Sequence, residues 1–78
     1  MITIKCFGIA KEIVNNDIAE IDTSKITVGD LRQQLNEKHK AFTQIKGYMV
    51  AVNQEYATDD HIINESDEVA IIPPVSGG

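Results

Sequence analysis

The chain has 78 residues, of which 42% are hydrophobic and 24% charged, and its formal net charge is −5. This length predicts one globular domain, and the acidic balance argues against nucleic acid or an anionic membrane as a partner, because both select basic surfaces. The one cysteine excludes an internal disulfide and a cysteine-based metal cluster, and no apolar run approaches the ~20 residues of a membrane span, so we expect a soluble cytoplasmic protein.

The first residues predict a strand, a helical turn and a second strand that runs back beside the first. Ile2, Ile4 and Cys6 alternate with residues of the opposite face, which is typical of a strand with one buried side. The same alternation indicates that Cys6 is a buried, unreactive thiol and not a sulfur relay. A helical turn over 9–14 and a second strand over 17–22, antiparallel to the first, are expected to follow.

One amphipathic helix is predicted over 28–39. Thr27 and Asp30 form a variant of the capping box that begins many helices, and apolar residues follow at i, i+3 and i+7. His39 suits the negative end of this helix, and His61 falls in a polar loop. Because the two histidines are far apart in the sequence, we expect no metal site.

The second half predicts more strands. We expect a third strand over 48–53, a short strand at 56–57, a polar loop over 59–67 and a last strand over 68–72. The first and last strands are the richest in β-branched residues, so they should lie side by side at the centre of the sheet. The predicted class is α+β, with a mixed sheet of four to five strands and one main helix packed on one face.

Strand alternation divides the predicted sheet into two faces. The residues expected to point at the helix are Ile4, Val50, Val52, Val69 and Ile71. The residues expected on the opposite face are Phe7, Met49, Ala51, Ala70 and Ile72. No second helix is predicted to cover that face, so it should bind a partner, unless a loop at 9–16 or 41–47 folds over it.

The sequence also predicts an extended tail over 73–78 after a folded unit over 1–72. Its residues are Pro73, Pro74, Val75, Ser76, Gly77 and Gly78. The prolines disfavour helix and keep the tail extended, and the glycine pair has no Cβ atoms, so its tip can enter a narrow channel. The reactive group there would be the terminal carboxylate of Gly78, which indicates a protein that is activated in another protein's active site.

Two segments carry a resemblance to a known family. Ala51-Val52-Asn53-Gln54 and the last twelve residues, Asp67 to Gly78, resemble the small subunit of molybdopterin synthase. The resemblance implies a ubiquitin-like β-grasp fold. The chain departs from the family pattern at Ser66, where glycine is common and a strained turn is expected, and at Ser76, where threonine is commoner.

What the resemblance implies is a sulfur carrier for molybdenum cofactor biosynthesis. A ubiquitin-activating-like adenylyltransferase would use ATP to adenylate Gly78, and a sulfur donor would convert the product to a thiocarboxylate. The large synthase subunit would then pass this sulfur to cyclic pyranopterin monophosphate. The resemblance further implies two small and two large subunits, catalytic residues on the large one, and no cofactor bound by this chain. The residues expected to dock are Phe7, Tyr56 and Ile72, with Met49, Ala51 and Ala70 beside them.

Two other functions remain open from the residues alone. A carrier of the same chemistry could supply the thiamine thiazole or thiolated tRNA, since a Gly-Gly end does not separate these recipients. A β-grasp binding module would have a tail that is never activated.

Overall fold

The computed structural model describes residues 1–45 and 47–74. The elements that it contains are, in chain order, β1 (Ile2–Cys6), α1 (Gly8–Val14), β2 (Ile18–Ile21), β3 (Lys25–Thr27), α2 (Val28–Lys38), a 3-10 helix (Lys40–Gln44), β4 (Met49–Val52), β5 (Glu55–Tyr56), β6 (Ile62–Asn64) and β7 (Val69–Ile72). The predictions for Val75, Ser76, Gly77 and Gly78 lie outside the described residues.

Five strands form one mixed sheet in the order β2-β1-β7-β4-β5. The first and last strands pair in parallel and the other neighbours are antiparallel, so the expected central pairing is confirmed. Side chains from α2 and from one face of the sheet share a core; its fully buried members include Ile4, Leu31, Val50, Val69 and Ile71. The predicted α+β class and its main helix are therefore confirmed.

The start of α2 is held by its N-cap and by a loop. The Oγ1 of Thr27 accepts a hydrogen bond from the Asp30 backbone N–H at 3.2 Å, as a capping residue should. The backbone N–H groups of Val28 and Gly29 donate to the carbonyl oxygens of His61 and Asp59 at 2.9 and 2.8 Å. Three of the N–H groups that a helix start leaves unpaired are thus satisfied.

The structure corrects the polar loop predicted over 59–67. Residues Ile62–Asn64 form β6, which pairs with β3 in a separate two-stranded antiparallel sheet. Each of these strands places a single side chain, Ile63 or Ile26, in the core. A three-residue strand with one buried residue is too short to show an alternating pattern. The 3-10 helix was missed in the same way, although it buries Phe42.

The two segments that carry the family resemblance lie together. Asn53 and Gln54 have φ of 53° and 71° and connect β4 to β5 as a two-residue hairpin loop. The Asn53 amide donates to Asp67 Oδ1 at 3.1 Å, and its Oδ1 accepts from the Glu68 backbone N–H at 2.9 Å. Ser66 is absent from the described residues with positive φ, so the strain expected there is not found.

Candidate functional site

The face of the five-stranded sheet opposite α2, here called the outer face, is set by strand register. One row of neighbouring residues runs across all five strands: Ile18, Lys5, Ala70, Ala51 and Tyr56. Met49 and Ile72 pair next to this row, and Phe7 follows β1 at the same end of the sheet. All the side chains expected on this face therefore lie on one surface, next to the point where β7 ends.

The outer face is apolar and open to solvent. Tyr56 is 67% exposed and Phe7 is 51% exposed, Met49 is also exposed, and Ala70 and Ile72 are partly exposed. Ala51 differs, because it is only 5% exposed. The small side chain of Ala51 lies between Tyr56 and Ala70 in the sheet and contributes little surface. The prediction that Ala51 is a docking residue is corrected accordingly.

Ile18 is an outer-face residue that the sequence did not identify. It is exposed and pairs with Lys5 across β1 and β2. The predicted second strand alternated poorly, so no face could be assigned to its residues. Only the structure shows that the large apolar side chain of Ile18 is exposed on this face.

The segments that were expected as alternative covers pack on the core side instead. Ala10 of α1 and Phe42 of the 3-10 helix are both buried in the core shared with α2. Ile45, which follows the 3-10 helix, is buried there too. The outer face consequently stays open at Phe7, Met49 and Tyr56. An exposed apolar surface of this kind marks an interaction site.

Two ion pairs lie on or next to the outer face. Lys5 Nζ is 3.6 Å from Glu68 Oε2, with both side chains about half exposed. Lys11 Nζ is 2.7 Å from Asp17 Oδ1, and this hydrogen bond raises the pKa of Lys11. Solvent-exposed pairs of this type contribute little to the stability of a fold.

The base of the tail packs against the start of α1. Gly8 has a φ of 57°, and a Cβ atom built there would lie 3.4 Å from Pro73 Cγ. A glycine is therefore suited to this position both by its backbone conformation and by the closeness of the proline ring. Beside this contact runs a groove of about 680 Å³, lined mainly by Phe7, Ile9, Ile45, Pro73 and Pro74.

Among the described residues, nucleophilic and metal-binding side chains are not gathered at this surface. Cys6 is 2% exposed, and burial raises the pKa of its thiol, which makes it a poor nucleophile. His39 ends α2, and His61 lies in the loop before β6. Over residues 1–45 and 47–74 there is no group of three or more His, Cys, Asp or Glu side chains placed to bind a metal ion. No helix in that part of the chain has the length and apolar character needed to span a membrane.

Comparison with known proteins identifies the family. The ThiS family model matches residues 4–78. The chain is 33% identical to the molybdopterin synthase sulfur carrier subunit of Escherichia coli and 38% identical to that of Caenorhabditis elegans, with 100% of both chains covered in each case. The crystal structure of SAMP1 from Haloferax volcanii superposes with a TM-score of 0.81 at 28% identity, covering 99% of this chain and 98% of that one.

These matches confirm the resemblance and the ubiquitin-like β-grasp fold that it implied. They extend beyond the two short segments that carried the resemblance, because the relatives align along the whole chain. The chain belongs to the ThiS family.

Proposed function

We propose that this chain carries sulfur on the terminal carboxylate of Gly78 for the synthesis of molybdopterin. The observation that carries the proposal is the full-length similarity to relatives named molybdopterin synthase sulfur carrier subunits. The family match includes Gly77 and Gly78, the two residues on which the chemistry depends.

The chemistry requires activation before sulfur can be attached. An α-carboxyl group has a reference pKa of about 3.5, so it is ionised and a poor electrophile at neutral pH. Adenylation by a ubiquitin-activating-like enzyme, which consumes the ATP, turns the Gly78 carboxylate into a mixed anhydride. Sulfur from a donor then displaces AMP and leaves a thiocarboxylate. This chain supplies no catalytic side chain and binds no cofactor in these steps.

The second half of the cycle takes place on the partner. The tail, Pro73 to Gly78, enters the active site of the large synthase subunit, where catalytic residues of that subunit transfer the sulfur to cyclic pyranopterin monophosphate. Water then cleaves the bond between the Gly78 carbonyl carbon and the transferred sulfur, so Gly78 leaves as a carboxylate and can be charged again. We place this cycle in the cytoplasm, in an assembly of two small and two large subunits.

The outer face is the surface by which the carrier docks in this proposal. Phe7, Tyr56, Met49 and Ile72 form an exposed apolar surface at the end of the sheet where β7 leads to Pro73. When a partner covers this surface, the base of the tail at Pro73 is held at a fixed distance from the surface of the partner. Support for such a partner comes from the names of the relatives, which are subunits of a synthase.

The intact mass of the protein tests the proposal. The chain is incubated with its activating enzyme, ATP and a sulfur donor, and we expect one oxygen atom to be replaced by sulfur. A variant without Gly78 and a variant with one residue added after Gly78 should gain no sulfur, so their masses should not change on incubation. Both should keep the far-UV circular dichroism of the wild type. An unchanged mass in the wild type would contradict the carrier function and favour a binding module. The recipient is identified by whether the large subunit or an enzyme of thiazole or tRNA thiolation accepts the sulfur.

A further inference from the structure

A hollow of about 410 Å³ opens at the edge of the outer face. Phe7 and Ile18 contribute apolar surface to it, and Lys5, Lys11 and Asp17 contribute its charges. The lining contains two lysines and one aspartate, and the carboxylate of Glu68 lies just outside it, 3.6 Å from Lys5 Nζ. This combination of an apolar lining and a lysine with a long ion pair fits a side chain with methylene groups and a carboxylate.

The two lysines of this hollow differ in how firmly they are paired. Lys11 Nζ is at hydrogen-bond distance from Asp17, at 2.7 Å. Lys5 Nζ is 3.6 Å from Glu68 Oε2, which is too long for a hydrogen bond, and both side chains stay half exposed. An ammonium group carries three N–H donors. Lys5 therefore has donors available to an acceptor that approaches from outside.

The position of Lys5 favours a closer acceptor once a partner docks. Lys5 lies in register between Ile18 and Ala70, within the apolar row and not at its rim. A partner that covers Phe7 and Ile18 removes water from this ammonium group. Desolvating an ammonium group whose single ion pair is too long for a hydrogen bond is unfavourable, so a purely apolar partner surface is disfavoured here.

We propose that the hollow receives an Asp or Glu side chain of the large synthase subunit, whose carboxylate binds Lys5 while its methylene groups contact Phe7 and Ile18. In the free protein Lys5 is paired with Glu68, and on docking the carboxylate of the partner takes the place of Glu68. The inference rests on the proposed function and names the chemistry of its partner. Because the chain carries a net charge of −5, it offers few positions to an acidic partner residue, and this hollow would help to set partner choice and register.

Binding of the large subunit to charge variants provides the first test. Lys5→Met keeps the length and apolar character of the side chain but leaves the partner's carboxylate unpaired. We expect it to weaken binding at least ~30-fold, by the usual effect of removing one member of a buried charge pair, and to reduce the salt dependence. Glu68→Gln should bind within a few-fold of wild type. Wild-type affinity for Lys5→Met overturns the proposal, as does an equal loss in Glu68→Gln, which would mean that the internal pair is what becomes buried.

A second test uses the free protein and separates this inference from the proposed function. Pentanoate is titrated into the ¹⁵N-labelled chain, with pentanol and sodium chloride as matched controls. The backbone amide signals of Cys6, Gly8 and Ile18 should shift with pentanoate only, and should not shift in Lys5→Met. An equal response in Lys5→Met overturns the carboxylate site. If pentanoate binds as expected but the large subunit does not bind the wild type, the proposed partner is wrong and the carboxylate site stands.

Discussion

Truncation of Phe7 tests whether the outer face docks the carrier. Phe7 is 51% exposed, so about 100 Å² of the ~200 Å² that an aromatic side chain can bury is available to a partner. At ~25 cal/mol per Å² this surface is worth about 2.5 kcal/mol. Phe7→Ala should therefore weaken binding to the large subunit by about 70-fold. The Phe7 backbone carbonyl that accepts from the Ala10 N–H in α1 is kept in this variant, so the fold should be retained.

Isothermal titration calorimetry with the purified large subunit measures the effect, and Ile62→Ala is its matched control. Ile62 is 48% exposed, and it lies on β6 in the two-stranded sheet and not on the outer face. Its truncation removes a comparable apolar surface and should leave the affinity unchanged. Thermal unfolding of both variants verifies that they are folded. An affinity of Phe7→Ala within twofold of wild type, or an equal loss in Ile62→Ala, would refute the assignment of the outer face.

Two further predictions concern the contact between Asn53 and Asp67, which joins the hairpin loop to the turn before β7. Asn53 has a φ of 53°, which strains an alanine but not a glycine, so the free energy of unfolding of Asn53→Ala should be about 1 kcal/mol lower than that of Asn53→Gly. Both variants lose the same side-chain hydrogen bonds, and urea unfolding measures the difference between them. Equal stability of the two variants would exclude strain at this position. The pKa of Asp67 is lowered by a hydrogen bond from the Asn64 backbone and, to a smaller extent, by one from the Asn53 amide. The ionised carboxylate therefore stabilises the fold at pH values above the pKa of an unfolded aspartate, about 3.9. This contribution is lost as the pH falls through the lower pKa of the folded state. Urea unfolding across that acidic range should show a smaller loss of stability in Asp67→Asn, and an unchanged pH profile would rule out this contribution.

Three of the elements that the sequence predicted correctly have a repeated pattern. β1 and α2 each place three buried side chains at regular spacing, and β7 alternates over four residues. Period alone was sufficient to assign their type and their buried side. The pairing of β1 with β7 followed from their shared β-branched composition. The β3–β6 sheet could not be predicted in this way, because the local sequence of each strand contains only one core residue and the pairing joins segments far apart in the chain.

For the candidate site, the sequence predicted the face but not the exposure of its residues. Alternation correctly put Ala51 on the same side as Met49, but whether a small side chain reaches solvent depends on its neighbours in adjacent strands, here Tyr56 and Ala70. The hollow beside Phe7 also depends on register, since Ile18 and Lys5 meet only when β2 pairs with β1. Strand register is a tertiary property, and one sequence contains little information on it.

The proposed attachment of sulfur to the carbonyl carbon of Gly78 is tested most directly on the chain isolated from cells that are making molybdopterin. Tandem mass spectrometry of the C-terminal peptide locates any sulfur to a single residue. We predict a population in which Gly78 ends in a thiocarboxylate, and this population should increase when the large subunit is deleted, because sulfur is no longer delivered. Finding only an unmodified Gly78 carboxylate under both conditions would contradict the account.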